Sequence, residues 1–134
     1  MTRRILFGSA GAVLAQALIS SAQTAAGGRK VLFEHALPDL NLQNWSVTAV
    51  EVSYAPGETS AAHRHPGITI AYVLEGEVRS KVGDDPEKTY ATGQMFVETP
   101  NQLHAVSGNA SKTKPARLLA ILLAEKGKQL TSPA

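Results

Sequence analysis

Two of the chain's four histidines stand one residue apart in the segment GETSAAHRHPGITIAYVLEGE, residues 57–77. In a β-strand, residues i and i+2 point to the same side, so His63 and His65 would project together while Arg64 points away. A third histidine, His104, follows the Thr-Pro-Asn turn at 99–101 and begins another apolar run. Three neutral imidazoles are a recurrent ligand set for zinc, iron, manganese, copper or nickel. The sequence therefore indicates a metal site, against the alternative that His63 and His65 are a surface pair at the start of a strand.

Short apolar or alternating runs, separated by turn residues, predict the elements that must position these histidines. Eight runs fit strands; they cover residues 30–37, 41–54, 68–76, 76–82, 89–93, 94–98, 103–108 and 116–125. The last run, ARLLAILLAE, is apolar enough to be a helix, and we assign it to a strand because its neighbours are strands. Many short strands without a convincing long helix predict an all-β barrel or sandwich.

The length of the chain limits it to one ordinary domain with a single core, since it has 134 residues. We place this domain at residues 30–126 and expect residues 127–134 to form a flexible tail. The chain contains no cysteine, which excludes disulfides, thiolate ligands and thiol catalysis. Its stability must therefore come from the core or from a metal.

The first 22 residues have the order of a secretory signal. Arg3 and Arg4 precede an uncharged apolar stretch, and Ser20 and Ala22 occupy the −3 and −1 places of a cleavage site. TRRILF also resembles a twin-arginine export signal, although no lysine follows the arginines. The alternatives are an N-terminal core helix and a membrane anchor, and the latter is disfavoured because about 15 residues fall short of the ~20 that span a bilayer. We expect a periplasmic or secreted bacterial protein with no stable membrane insertion after processing.

The charge balance argues against a nucleic-acid partner. The chain has 13 basic and 11 acidic residues, and loss of the predicted signal removes Arg3 and Arg4 to leave 11 of each. Nucleic-acid binding requires a basic face that replaces counterions, and no such cluster of lysine and arginine is present. We expect a small molecule as the partner instead.

The histidine pair belongs to a longer pattern that resembles the first motif of the cupin family. That motif runs glycine, five residues, HxH, three or four residues, glutamate, six residues, glycine. Here Gly57 precedes ETSAA, the pair His63 and His65 is followed by PGI, and IAYVLE leads to Gly76. The spacing fits throughout, but Thr69 occupies the position of the glutamate.

The second cupin motif is matched around His104. It runs glycine, five residues, proline, one residue, glycine, two residues, histidine; here Gly93 precedes QMFVE, Thr99 takes the proline place and Asn101 the second glycine place. Asparagine is a natural substitute for glycine where φ is positive. The resemblance covers about residues 46–125 and implies a small jelly-roll barrel with His63, His65 and His104 as ligands of a metal near one mouth.

Glu98 is the remaining candidate in this region. In QMFVE it shares a strand face with Phe96, which should point into the core, and a carboxylate at a core-facing position is costly unless it is paired or bound to a cation. It could be the carboxylate ligand that the first motif lacks, or a catalytic general acid/base with a pKa raised by desolvation. The alternative is a solvated rim residue, or one paired with Arg117 or Lys114.

Three functions follow from these observations. The first is an exported metal-dependent enzyme of the oxygenase, isomerase or lyase type, acting on a small organic molecule through the three-histidine centre. The second is a non-catalytic periplasmic module that binds a small ligand or a metal, and the third is a barrel with a vestigial site. The metal would be Mn, Fe, Ni, Cu or Zn, and the resemblance implies a homodimer in which residues 30–37 provide an edge strand.

Overall fold

The computed structural model describes residues 27–134, so the signal predicted over residues 1–22 lies outside the described residues. The described part of the chain contains strands and no helix, and none of it forms an apolar helix of membrane-spanning length. The strands are β1 (Trp45–Tyr54), β2 (Thr59–Ser60), β3 (His63–Arg64), β4 (Ile68–Glu75), β5 (Glu77–Val82), β6 (Lys88–Ala91), β7 (Met95–Glu98), β8 (His104–Asn109), β9 (Ala116–Glu125) and β10 (Ser132–Pro133). The predicted all-β fold is confirmed.

Val31–Ala134 form one compact unit built from two antiparallel sheets. The first sheet has the order β1-β9-β4-β7, and the second has the order β10-β3-β8-β5-β6 with β2 paired to β8. Side chains from both sheets meet in one core, which contains Tyr54, Ala71, Val73, Val78, Phe96, Ala116, Leu118, Ala120 and Leu122. This is the architecture of a single jelly-roll barrel.

The ambiguous run at 116–125 is a strand because its side chains alternate in burial. Ala116, Leu118, Ala120, Leu122 and Ala124 are buried, and the residues between them are half-buried. β9 lies between β1 and β4 in its sheet, so every backbone group along it can find a neighbouring strand. A period of two suits that position, and a helical period would bury the wrong residues.

Residues with positive φ lie at the turns of both motifs. Gly57, Gly76 and Gly93 have φ of 74°, 70° and 87°, and Asn101 has φ of 61°. A Cβ on Gly76 would lie 2.4 Å from the carbonyl oxygen of Pro115, so this turn needs glycine for space as well as for conformation. Asn101 therefore takes the left-handed conformation expected of it in the place of a glycine.

The secondary structure of residues 30–37 and of the C-terminal segment differs from expectation. Residues 30–37 form no strand, and Val31 and Leu32 are 78% and 62% exposed, so the strand assignment there is wrong for the single chain. The run is apolar, but within the described chain no strand pairs with it. The C-terminal tail, in contrast, is paired: Ser132 and Pro133 are opposite Arg64 and His63 in an antiparallel ladder.

Candidate metal centre

The structure brings His63, His65 and His104 together, with His65 directly after β3. His63 lies on β3 and His104 begins β8, and their Cα atoms are direct partners in the ladder between these strands. The His63 ring centroid lies 4.9 Å from that of His65 and 4.9 Å from that of His104. The convergence that the histidine spacing predicts is present.

A β-bulge on β8 helps to aim His104 inward. In the pairing with β5, Lys81 is opposite Val106 and Val82 is opposite His104, so Ala105 is an extra residue on β8. A bulge of this kind shifts the alternation of side chains by one position. As a result, His104 and Ser107, three residues apart, are both buried and both line the interior.

Each histidine has one ring nitrogen held by a neighbouring group. His63 Nδ1 lies 2.7 Å from the carbonyl oxygen of Ala61, and His65 Nδ1 lies 2.8 Å from that of Leu130. A carbonyl oxygen only accepts, so both rings donate from Nδ1 and keep the lone pair on Nε2. His104 is held by the other nitrogen, since its Nε2 lies 2.8 Å from the hydroxyl of Ser80. Such partners fix the ring and the tautomer of metal-binding histidines.

Glu98 completes the cluster. Its side chain is buried; one carboxylate oxygen lies 3.2 Å from His65 Nε2, and the other lies next to His104 Nδ1. Both carboxylate oxygens and His104 Nδ1 are buried without a hydrogen-bond partner. The ligand atoms of the four residues all lie within 4.8 Å of one another. Lone-pair donors that face one another without hydrogen bonds in the interior are suited to share a cation, so the residues fit a divalent metal ion.

The alternatives for Glu98, a solvated rim position or a pair with Arg117 or Lys114, are wrong, because in the described part of the chain its carboxylate contacts His65 and His104 and no lysine or arginine. A residue that is 2% exposed is not at a solvated rim. Arg117 pairs elsewhere, because its Nε donates to Glu75 at 2.7 Å and its guanidinium also contacts Glu51 at 2.8 Å.

Strand register explains how a carboxylate reaches the site without the motif glutamate. Thr69 on β4 and Glu98 on β7 are direct partners in the first sheet, so their side chains emerge side by side. The glutamate position of the first motif is thus occupied by a short hydroxyl, and its cross-strand neighbour supplies the carboxylate. Thr69 Oγ1 is itself buried without a hydrogen-bond partner, which leaves it available to a water molecule or a ligand.

Electrostatics favours the ligand form of His63. Burial lowers the pKa of this imidazole below its usual value, and the neighbouring His104 and His65 lower it further, against opposing contributions from the Ala61 hydrogen bond and from Glu98. A lowered pKa keeps the ring neutral near pH 7, and a neutral ring is what a metal ion requires.

A cavity of about 610 Å³ extends from the four residues into the space between the sheets. Apolar side chains form most of its wall, and the C-terminal residues Leu130–Pro133 also line it. The volume is in the range of small-molecule sites. A ligand inside this cavity would therefore lie against the histidine and glutamate side chains.

Several groups at the site lie outside the sequence motifs. Strand periodicity could have revealed Ser80, because it alternates with Val78 and Val82 on the buried face of β5, and a buried serine among valines needs a polar partner. No sequence pattern could have revealed the carbonyls of Ala61 and Leu130, since a backbone group does not depend on residue type. His35 is exposed and takes no part in the cluster.

Comparisons with known proteins agree with this fold. The Cupin_2 family model, described as a cupin domain, matches residues 50–122, and the chain belongs to the cupin family. None of the curated proteins matches the sequence.

Solved structures with the same fold are distant in sequence. An uncharacterised conserved protein with a double-stranded β-helix domain from Klebsiella pneumoniae shares 21% identity over 66% of this chain and 74% of its own, with a TM-score of 0.55. The DMSP lyase of Ruegeria pomeroyi shares 18% over 66% of this chain and 43% of its own, with a TM-score of 0.58. The oxalate decarboxylase of Bacillus subtilis, which has Mn(II) centres, shares 21% over 65% of this chain and 23% of its own, with a TM-score of 0.54. At such identities the likeness concerns the fold alone, and the chain spans less than half of the lyase and about a quarter of the decarboxylase.

Proposed function

We propose that this protein is an exported, metal-dependent cupin enzyme that acts on a small organic molecule in the interior of the barrel. His63, His65, His104 and Glu98 would hold a divalent transition metal, which would be Mn, Fe, Ni, Cu or Zn. Imidazole and carboxylate together suit this group of metals, and manganese and iron accept both ligand types well. When bound, such a metal supplies Lewis acidity or a site for dioxygen, as oxygenases, isomerases and lyases require.

The observation that carries the proposal is the set of unpaired donors in the cluster. A buried carboxylate without hydrogen bonds is costly, because desolvation disfavours its charged form. Here both oxygens of Glu98 face the two nitrogens that the ring-holding contacts leave free, His65 Nε2 and His104 Nδ1. A divalent cation would satisfy all of these lone pairs at once.

Replacement of Glu98 tests whether it is a ligand or an acid/base group. If Glu98 is a ligand, Glu98→Gln should lower metal affinity by at least about tenfold, because even groups one step removed from a metal typically cost 10–100-fold. The measurement is metal titration by calorimetry, with Glu58→Gln as a matched control on an exposed turn. Full metal affinity combined with loss of turnover on a substrate panel would assign Glu98 to proton transfer instead. Full affinity and no turnover in the wild type would favour a non-catalytic binding module.

Export and dimerisation belong to the same proposal. The order of charged, apolar and small residues in the first 22 positions supports export, and N-terminal sequencing of the protein from a bacterial periplasm should find the chain starting after Ala22. An intact Met1 in the exported fraction would contradict cleavage there.

The homodimer is supported by the apolar segment at 30–37 and by the free edge of β1. β1 pairs only with β9 in its sheet, and Val31 and Leu32 are exposed apolar side chains without a partner strand in the described chain. A second copy of the chain could cover both the edge of β1 and the apolar segment at 30–37. Light scattering should give a dimer mass, and Val31→Asp with Leu32→Asp should give a monomer; a monomeric wild type would contradict this.

A further inference from the structure

The wall of the cavity offers a ligand no cation from the protein. Apart from the metal-site residues, it is formed largely by aliphatic and aromatic side chains, among them Val50, Val52, Phe96, Leu118 and Leu122, and no lysine or arginine of the described chain lines it. Transfer of an anionic group from water into such a wall is unfavourable without a counter-charge. We therefore expect the part of a ligand that this wall encloses beyond the metal site to be uncharged and mostly apolar.

A cluster of three hydroxyls interrupts this apolar wall away from the metal site. Tyr54 Oη lies 3.0 Å from Ser60 Oγ and 2.8 Å from Ser107 Oγ, and both serines line the cavity. Each hydroxyl carries one hydrogen, so two hydrogen bonds among three hydroxyls use two of the three hydrogens. If Tyr54 accepts from one serine and donates to the other, the second serine keeps a hydrogen that it can donate to a ligand.

The ladder places this hydroxyl cluster three residues from the metal site along the same pair of segments. Ser60 is opposite Ser107, and His63 is opposite His104. His63 comes three residues after Ser60, and His104 comes three residues before Ser107 on the antiparallel strand. Three extended residues span about 10 Å along a strand, so one small molecule can reach both positions. The cavity thus carries the hydroxyl cluster and the metal site at separate positions, with Ala61 and Ala62 between Ser60 and His63; Thr131 and Ser132 line it at the C-terminal segment.

We propose that the ligand of this cavity is an elongated and largely apolar molecule with two polar ends, and that the part of it beyond the metal site is uncharged. One end offers an oxygen ligand to the metal, and the other offers a hydrogen-bond acceptor to Ser60 or Ser107. This inference rests on the proposed metal centre and adds the substrate class to it.

Three matched probes test the inference on the metal-loaded full chain. Benzohydroxamic acids substituted at the 4-position share a chelating head, and the 4-acetyl, 4-isopropyl and 4-carboxy forms differ only at the far end. One neutral hydrogen bond is typically worth about a three- to tenfold change in affinity, so the 4-acetyl form should bind by that factor more tightly than its isopropyl isostere. The 4-carboxy form should bind at least about tenfold more weakly than the 4-acetyl form, because its anion loses hydration without gaining a cation.

The variant Ser60→Ala/Ser107→Ala tests whether the cluster is responsible. The preference for acetyl over isopropyl should disappear, and affinity for the isopropyl probe and for the metal should be retained; Ser53→Ala, on the exposed face of β1, should preserve the preference. Equal binding of the acetyl and isopropyl forms by the wild type, or tightest binding of the carboxylate, would overturn the inference and leave the metal centre intact. If elemental analysis finds no metal in the wild type, the proposed function fails and the inference falls with it. The wild-type probe comparison decides the question even if the double variant does not fold.

Discussion

The candidate metal site and the hydroxyl cluster are built from the same stretch of β8 and its neighbouring segment, yet they differ in chemistry. At the metal site, three imidazoles and a carboxylate leave unpaired donors in the interior, and each ring is held by another protein group. At the hydroxyl cluster, three neutral groups satisfy one another and retain a single donor. The first arrangement is suited to hold a cation, and the second can only hydrogen-bond a ligand.

Two serines show the contrast most directly. Ser80 and Ser107 are Cα partners on β5 and β8, and both are buried. Ser80 contacts His104, whereas Ser107 contacts Tyr54. The same residue type at one rung of the sheet therefore serves the metal site on one strand and the ligand cavity on the other, which means that burial and residue type alone do not assign a role.

The largest effect should come from loss of a histidine ligand. His63→Ala, His65→Ala and His104→Ala should each weaken metal binding by about a hundredfold or more, since direct ligands should exceed the 10–100-fold cost typical of supporting groups. In the wild type, metal at about 100 times its Kd should stabilise the fold by about 2.7 kcal/mol, and the variants should lose this thermal shift. His35→Ala is the control, because His35 lies outside the cluster. If none of Mn, Fe, Ni, Cu and Zn shifts the wild-type melting temperature, the cluster does not bind metal, and the contrast with the hydroxyl cluster is lost.

A smaller effect is expected from Ser80→Ala. The variant removes the hydrogen-bond partner of His104 Nε2, which frees the ring to rotate, and should lower metal affinity about 10–100-fold. Ser80→Thr keeps the hydroxyl and should restore much of the affinity, a rescue that a purely structural role would not produce. Ser107→Ala, which changes the Cα partner of Ser80 on the neighbouring strand, should leave metal affinity unchanged. Equal losses in Ser80→Ala and Ser107→Ala would remove the distinction between the two serines.

The smallest effect should follow removal of residues 129–134. This deletion takes away the Leu130 carbonyl that accepts from His65 Nδ1 and the strand that pairs with β3, so metal affinity should fall about tenfold. Gln129→Ala, which retains the backbone and changes an exposed side chain, is the control. Calorimetric titration of the truncated protein with unchanged affinity would show that the C-terminal segment does not support the metal site.

Much of the fold could be predicted because its signals are local. The alternation of apolar and polar residues along β5 specifies which face is buried, and the motif spacing indicates that Gly57, Gly76 and Gly93 form turns. The apolar run at 30–37 also predicts a strand, and this prediction is wrong for the single chain because a strand needs a neighbour with which to pair.

The sequence by itself determined the all-β class, the motif positions and the choice of His63, His65 and His104 as candidates, since strand periodicity and residue type are properties of short segments. Only the tertiary structure decided that Glu98 stands beside Thr69, that Leu130 reaches His65 and that Ser60 and Ser107 meet Tyr54. These contacts join residues far apart in the chain. They depend on strand register and on a bulge at Ala105, and both are set by the packing of the whole barrel rather than by any local pattern.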